Sequence, residues 1–212
     1  EGFPLSRNPN DLIFFSKYLI LCREVIKDSQ KYIPEFLEDI IEKNLICINF
    51  IKTPNKQLPL FNGSTSTDLS QIEKYLVNTK QKNSSNKNIG GLFKIKHKKH
   101  LVFMDIEKPP QKNLSKCYQS GPLSFEYFLD GIKIISNSGY GANISKKAET
   151  LSRLTACQST LTLNDTSVTR FEKNELVNRV FGNSIQNSFK FYDLETKNEN
   201  ALIGCSSTNN GY

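Results

Sequence analysis

The sequence predicts an α+β chain in which an antiparallel helical hairpin is followed by an antiparallel β-sandwich. Three observations point there. Apolar residues before Ser66 recur at spacings of three and four, which is the helical period. After Gly90 the period changes to that of strands. Turn signals then divide the second part into many short runs, the pattern of a sandwich rather than of alternating strands and helices.

Taken in order, Ser6-Arg7-Asn8-Pro9 has the form of a helix start, with Asn8 as N-cap and Pro9 at the first helical position. The run Leu12 to Val25 is apolar on a broad face that includes Phe14, Phe15, Tyr18, Leu19 and Leu21. A second helix begins near Tyr32, with Ile33, Phe36, Leu37, Ile40 and Ile41 on one face and Glu35, Glu38, Asp39 and Glu42 on the other. Two such helices joined by a short connection form an αα-hairpin, and two helices alone cannot close a core. Thr53 to Ser66 reads as a loop, and Asp68 to Asn78 as one further short helix.

The domain expectation is helices over 1–79, a polar linker over 80–89 and a sandwich over 90–212. Leu92–Lys96 and Leu101–Asp105 flank a basic turn and read as a hairpin. Further strands are expected at Ser124–Leu129, Ile132–Ser136, Thr160–Leu163, Val168–Phe171, Leu176–Phe181, Ser188–Tyr192 and Ala201–Ser206. Ser145 to Leu154 reads as a helical insertion capped by Ser145. Glu1-Gly2-Phe3-Pro4 and Asn209-Asn210-Gly211-Tyr212 both read as turn sequence, so the expectation is a piece of a longer protein.

The bulk properties bound the function loosely. A chain of 212 residues can bury a real core. No apolar run approaches the length of a membrane span. Cys22, Cys47, Cys117, Cys157 and Cys205 are odd in number and show no CxxC spacing, which is neither a disulfide framework nor a zinc-finger pattern and reads as buried or semi-buried free thiols. A net charge of +7 suits an anionic partner, although Lys, Asn and Ile are frequent throughout.

Several strings then occur in a telling order: Ser6-Arg7-Asn8-Pro9, Leu60-Phe61-Asn62-Gly63, Gly121-Pro122-Leu123-Ser124-Phe125-Glu126, Asn137-x-Gly139, Gln158-Ser159-Thr160-Leu161-Thr162-Leu163 and Asn210-Gly211-Tyr212. In this order they resemble the heparinase II/III-like family, over essentially the whole chain. The resemblance implies the end of an (α/α) toroid followed by the start of a sandwich, with substrate in the cleft between. It further implies β-elimination on a uronic-acid polymer, often in the periplasm. Such a reaction needs a group that neutralises the uronate carboxylate, a base for the proton beside it, and an acid for the leaving oxygen.

The sequence departs from the family pattern where histidines are common. Gln119 (or Cys117) stands where a His precedes the Gly-x-Leu-Ser-Phe string, and Gln158 where a His opens the third strand string. Asn209 and Asn210 stand where another His is common. Where the family binds a structural zinc, the resemblance implies His, Asp and His ligands, and Gln119, Asn137 and Gln158 are poor replacements. No metal and no cofactor is therefore expected. The three amides are free to bond one another or a substrate carboxylate.

The expected substrate-binding residues are Arg7, Asn8, Gln119, Asn137, Gln158, Asn209 and Asn210, with Tyr212 as a catalytic or stacking phenol. Each has a plainer reading. Asn8 serves equally well as a helix cap, and Gln119, Asn137 and Gln158 as polar groups that satisfy strand-end backbone. The Lys94–His100 hairpin reads as a solvated basic turn, and His97 and His100 flank it. Three function classes follow: a carbon–oxygen lyase on an acidic glycan, an inactive carbohydrate-binding protein of the same fold, and a nucleic-acid binder. The last is disfavoured, because the basic residues are spread over both halves without an aromatic–basic motif.

Overall fold

The computed structural model describes residues 2–78, 88–186 and 189. Helix α1, Pro9–Asp28, starts where Asn8 Oδ1 accepts the Asn10 N–H at 2.9 Å and Pro9 fills the first turn. Ser29 closes it by donating its N–H to Val25 O. Helix α2, Glu35–Ile51, begins after Pro34 with Glu35 and Glu38 at its positive end. Helix α3, Ser70–Asn78, packs against α2.

The second part is a meander of five antiparallel strands in the order β1 to β5: Asn88–Ile89, Leu92–His97, His100–Asp105, Phe125–Leu129 and Ile132–Ile135. The register pairs Leu92 with Asp105 and Lys94 with Phe103, and a bulge sits between Tyr127 and Phe128. Alternation puts Leu92, Leu101, Phe103 and Phe128 on one face, where they are buried. That face lies on the helices. Leu12, Ile13 and Ile20 of α1, Leu37, Ile41, Leu45, Ile48 and Ile51 of α2, and Ile72 and Leu76 of α3 join it in one cluster. The cluster leaves out part of α1: Phe14, Phe15, Tyr18, Leu21 and Val25 are all more than half exposed.

Three expectations are corrected. Leu176–Phe181 is not a strand but helix α5, Glu175–Phe181, because the Asn174 carboxamide accepts the N–H groups of Leu176 and Val177 and starts a turn. Thr160–Leu163 forms no ladder beyond a Leu163–Thr166 bridge. Thr160 bonds back on its own segment through its N–H, to Gln158 O, and across to Pro122 O through its hydroxyl, and Leu161 is 83 % exposed. Val168–Phe171 contributes only a Phe171–Ile185 bridge.

Elsewhere the agreement is closer. Helix α4, Lys146–Ser152, forms within the expected insertion, with Ser145 Oγ accepting the Ala148 N–H at 3.0 Å. Residues 88 and 89, at the end of the expected linker, are strand β1. Ala201–Ser206 lies outside the described residues, as does all of Ser188–Tyr192 except the buried Phe189.

Candidate functional site at the helix–sheet junction

The segment before α1 reaches into the sheet through Arg7. Its Nε donates to Gly90 O at 3.2 Å, and Nη1 donates to Glu107 O and Lys108 O at 3.0 and 2.9 Å. Nη2 is paired with Asp105 Oδ1. Burial pushes the Asp105 carboxyl up, and the Arg7 guanidinium, the Glu107 N–H and the Asn62 amide act against that push. Gly91 makes room for the guanidinium: a Cβ there would stand 2.5 Å from Arg7 Nη2, and its φ is +79°. Arg7, buried and bonded in this way, holds the N-terminal segment on the sheet.

Gln119 makes the second tie. Its Oε1 accepts the Gly63 N–H at 3.0 Å, and its Nε2 donates to Gly139 O and Ser152 O, both at 2.9 Å. Gly63 belongs to the loop between α2 and α3, so this one amide spans helical and sheet parts. Gln158 Nε2 donates to the same Ser152 O at 2.7 Å. Asn137 Oδ1 accepts from Ser159 N and Ser159 Oγ, each at 2.9 Å, while its Nδ2 has no hydrogen-bond partner. Gln119 and Gln158 meet at one backbone partner, Ser152 O, whereas Asn137 bonds Ser159, the residue after Gln158.

The zinc implied for these positions does not fit this donor set. The amide nitrogens of Gln119 and Gln158 point at carbonyl oxygens, and a carboxamide nitrogen has no lone pair to give a metal. The Gln119 and Asn137 oxygens already accept N–H or O–H groups. Among the described residues no group of three His, Cys, Asp or Glu is placed to hold a metal ion.

Above these ties lies a half-exposed polar cluster. Asn10 Nδ2 donates to Thr65 Oγ1 at 2.8 Å, and the Tyr140 N–H donates to Ser64 O at 2.9 Å. The Tyr140 hydroxyl donates to Glu149 Oε1 at 2.7 Å, on α4. Cys117 lies beside that phenol, over Gly63. Burial, reinforced by the Glu149 carboxylate, pushes the Tyr140 phenol well above its ordinary value. Burial also pushes the Cys117 thiol up. The buried Arg153 stands behind them, its cation held by Tyr118 O and Ser115 O and stacked on Phe171.

Sequence reasoning missed Tyr140 and Glu149. Tyr140 directly follows the Asn137-x-Gly139 string, which was the available signal; Glu149 had none. The structure gathers Arg7, Asn8, Gln119, Asn137 and Gln158 at one junction, all buried. Asn209, Asn210 and Tyr212 lie outside the described residues. A cavity of about 760 Å³ opens on the other side of Arg7, lined among others by Phe3, Lys43, Cys47, Lys108 and Pro110. Its lining includes a carboxylate, Glu107, and a thiol, Cys47, but no phenol or imidazole, whereas the junction cluster adds the Tyr140 phenol bonded to Glu149.

Residues 79–212 match the family described as "Heparinase II/III-like, C-terminal". The chain belongs to the heparinase II/III-like family. Solved structures of similar fold include the heparan sulfate lyase HepC of Pedobacter heparinus, at 18 % identity and TM-score 0.61, and a mutant of it at 18 % and 0.63. A heparinase III matches at 13 % identity and TM-score 0.57. In each case 82 % of this chain is covered, but only 32–34 % of the other, so the chain spans about a third of these relatives' length. A search of curated protein sequences gives no significant match. The heparinase II/III-like membership accounts for the α+β layout: helices packed on an antiparallel sheet, with the junction between them.

Proposed function

We propose that the protein takes part in β-elimination on an acidic, uronate-containing glycan, with the glycan lying over the junction cluster of Asn10, Thr65, Cys117, Tyr140 and Glu149. Family membership supports the reaction class, and the observation that carries the site is the Tyr140–Glu149 hydrogen bond at a half-exposed helix–sheet junction. In this reaction a base removes the C5 proton, the electron pair forms the C4–C5 double bond, and the C4–O4 bond breaks. The leaving O4 then needs a proton. A phenol held protonated beside a carboxylate is unsuited to act as the base, so Tyr140 is assigned as hydrogen-bond and proton donor to O4. The base is assigned to residues outside this chain, on toroid helices that precede residues 1–79 in a longer protein.

No helix among the described residues is long and apolar enough to cross a membrane. The net charge of +7 favours an acidic polysaccharide. The test is a Tyr140→Phe substitution in the complete protein, assayed by the absorbance of the unsaturated uronate it forms. A fall in kcat of roughly 10²–10⁴-fold with little change in KM is expected for loss of a proton donor. An unchanged kcat removes Tyr140 from the mechanism.

One observation favours a second reading, a glycan-binding protein without catalysis. Both histidines, His97 and His100, sit at the β2–β3 hairpin turn, where His100 Nδ1 meets the Tyr127 hydroxyl at 2.7 Å. No imidazole of this chain therefore serves the junction. Binding without any product from the complete protein, across a panel of acidic glycans, would favour this second reading.

A further inference from the structure

At the three positions where the resemblance implies a structural zinc, the Gln119, Asn137 and Gln158 carboxamides tie chain segments together, with the glutamine nitrogens turned to carbonyl oxygens and the Gln119 and Asn137 oxygens already accepting N–H or O–H groups. Gln119 is 2 % exposed and satisfies three backbone groups at once: Gly63 N–H, Gly139 O and Ser152 O. Gln158 reaches the same Ser152 oxygen, which brings the two glutamine side-chain ends to one point. Asn137 takes Ser159, the residue after Gln158, through both its N–H and its hydroxyl. Four stretches of chain meet there: the α2–α3 loop, the loop before β4, the loop after β5, and the segment from the end of α4 through the turn after it.

We propose that this amide knot is a metal-free replacement for the zinc site, and that the three positions remain close enough to be converted back into one. The chemistry is complementary. Zinc gathers lone-pair donors around one cation, whereas an amide offers both a donor and an acceptor and so can join backbone N–H and C=O groups directly. The knot also does something a closed zinc site does not, because its Gln119 oxygen reaches across to Gly63 and ties in the helical part. The reading is independent of whether the protein cleaves a glycan.

Two measurements test it. The purified chain, dialysed and then incubated with excess EDTA, is expected to contain no stoichiometric zinc and to keep its thermal unfolding midpoint. One zinc per chain surviving dialysis, or a midpoint that falls on chelation, overturns the proposal. The triple variant Gln119→His/Asn137→Asp/Gln158→His is then titrated with Co(II) and Zn(II). The expected result is one metal per chain, the visible absorption of tetrahedral Co(II), and a midpoint that rises with zinc and falls with EDTA. A variant that folds, by far-ultraviolet circular dichroism, yet binds neither metal overturns the convergence of the three positions. If the variant does not fold, the wild-type zinc content and EDTA response alone decide metal independence.

Discussion

Arg7 and Asp105 lie 98 positions apart and form an ion pair inside the protein, with side chains only 8 % and 3 % exposed. One belongs to the segment that launches α1 and the other ends β3. Removing either partner leaves a buried charge without its counter-charge. Arg7→Met or Asp105→Asn is therefore expected to cost about 3–5 kcal/mol in urea unfolding. The double variant should lose less than the sum of the two, because the pair is coupled. Additive losses would show that the two side chains are not interacting.

Gly63 is the point at which the helical loop comes against the sheet. Its φ is +96°, and a Cβ there would stand 2.6 Å from Cys117 Cβ and 3.0 Å from Asn8 Nδ2. Gly63→Ala combines left-handed strain with overlap in a tied segment. A loss of about 1–3 kcal/mol is expected from chemical denaturation. A change within about 0.5 kcal/mol would mean the loop can move away from Cys117.

Tyr140 is held protonated first by burial and then by the Glu149 carboxylate. Glu149→Gln removes a negative neighbour and so lowers the phenol's pKa. The change is read as an earlier phenolate absorbance at alkaline pH, taken as a difference between variant and wild type. An identical titration in the two proteins would place Glu149 away from the hydroxyl.

Lys94 gives a pH signature. Burial first, then Lys96 and Lys52, lower its ammonium pKa from 10.5 to about 8, while its Nζ sits 2.6 Å from Phe50 O at the end of α2. Below about pH 8 both folded and unfolded chains carry the proton, and the burial penalty is fully present. Between about 8 and 10.5 only the unfolded chain keeps it, so folding stability rises with pH through that window. Lys94→Met should abolish the rise and increase stability at neutral pH. A wild-type stability curve that is flat or falling across the window would count against the buried ammonium.

Helix α1 could be read from its sequence because Asn8 and Pro9 are local signals, and a cap acts within three residues. The hairpin of β2 and β3 was legible for the same reason. The Leu176–Phe181 helix was not: Leu176, Val177, Val180 and Phe181 fit strand and helix about equally, and the deciding cap, Asn174, lies outside that apolar run. The amide strings at the junction were visible, but their partners are backbone atoms such as Gly63 N, Gly139 O and Ser152 O, which no side-chain pattern announces. Asp105 looked like an ordinary polar strand end, and nothing near it in sequence pointed to Arg7.

The exposed row of Phe14, Phe15, Tyr18, Leu21 and Val25 on α1 bears on how this polypeptide behaves in the laboratory. The Phe14 and Tyr18 rings meet at a tilt of 56°, with centres 4.7 Å apart, on a surface facing water. Produced by itself, the 212-residue chain carries a sticky stripe along one side, and concentration rather than temperature will govern its colloidal behaviour. Replacing Phe14, Tyr18 and Leu21 with polar residues of good helical propensity would leave the buried Leu12, Ile13 and Ile20 face untouched and keep the preparation monodisperse.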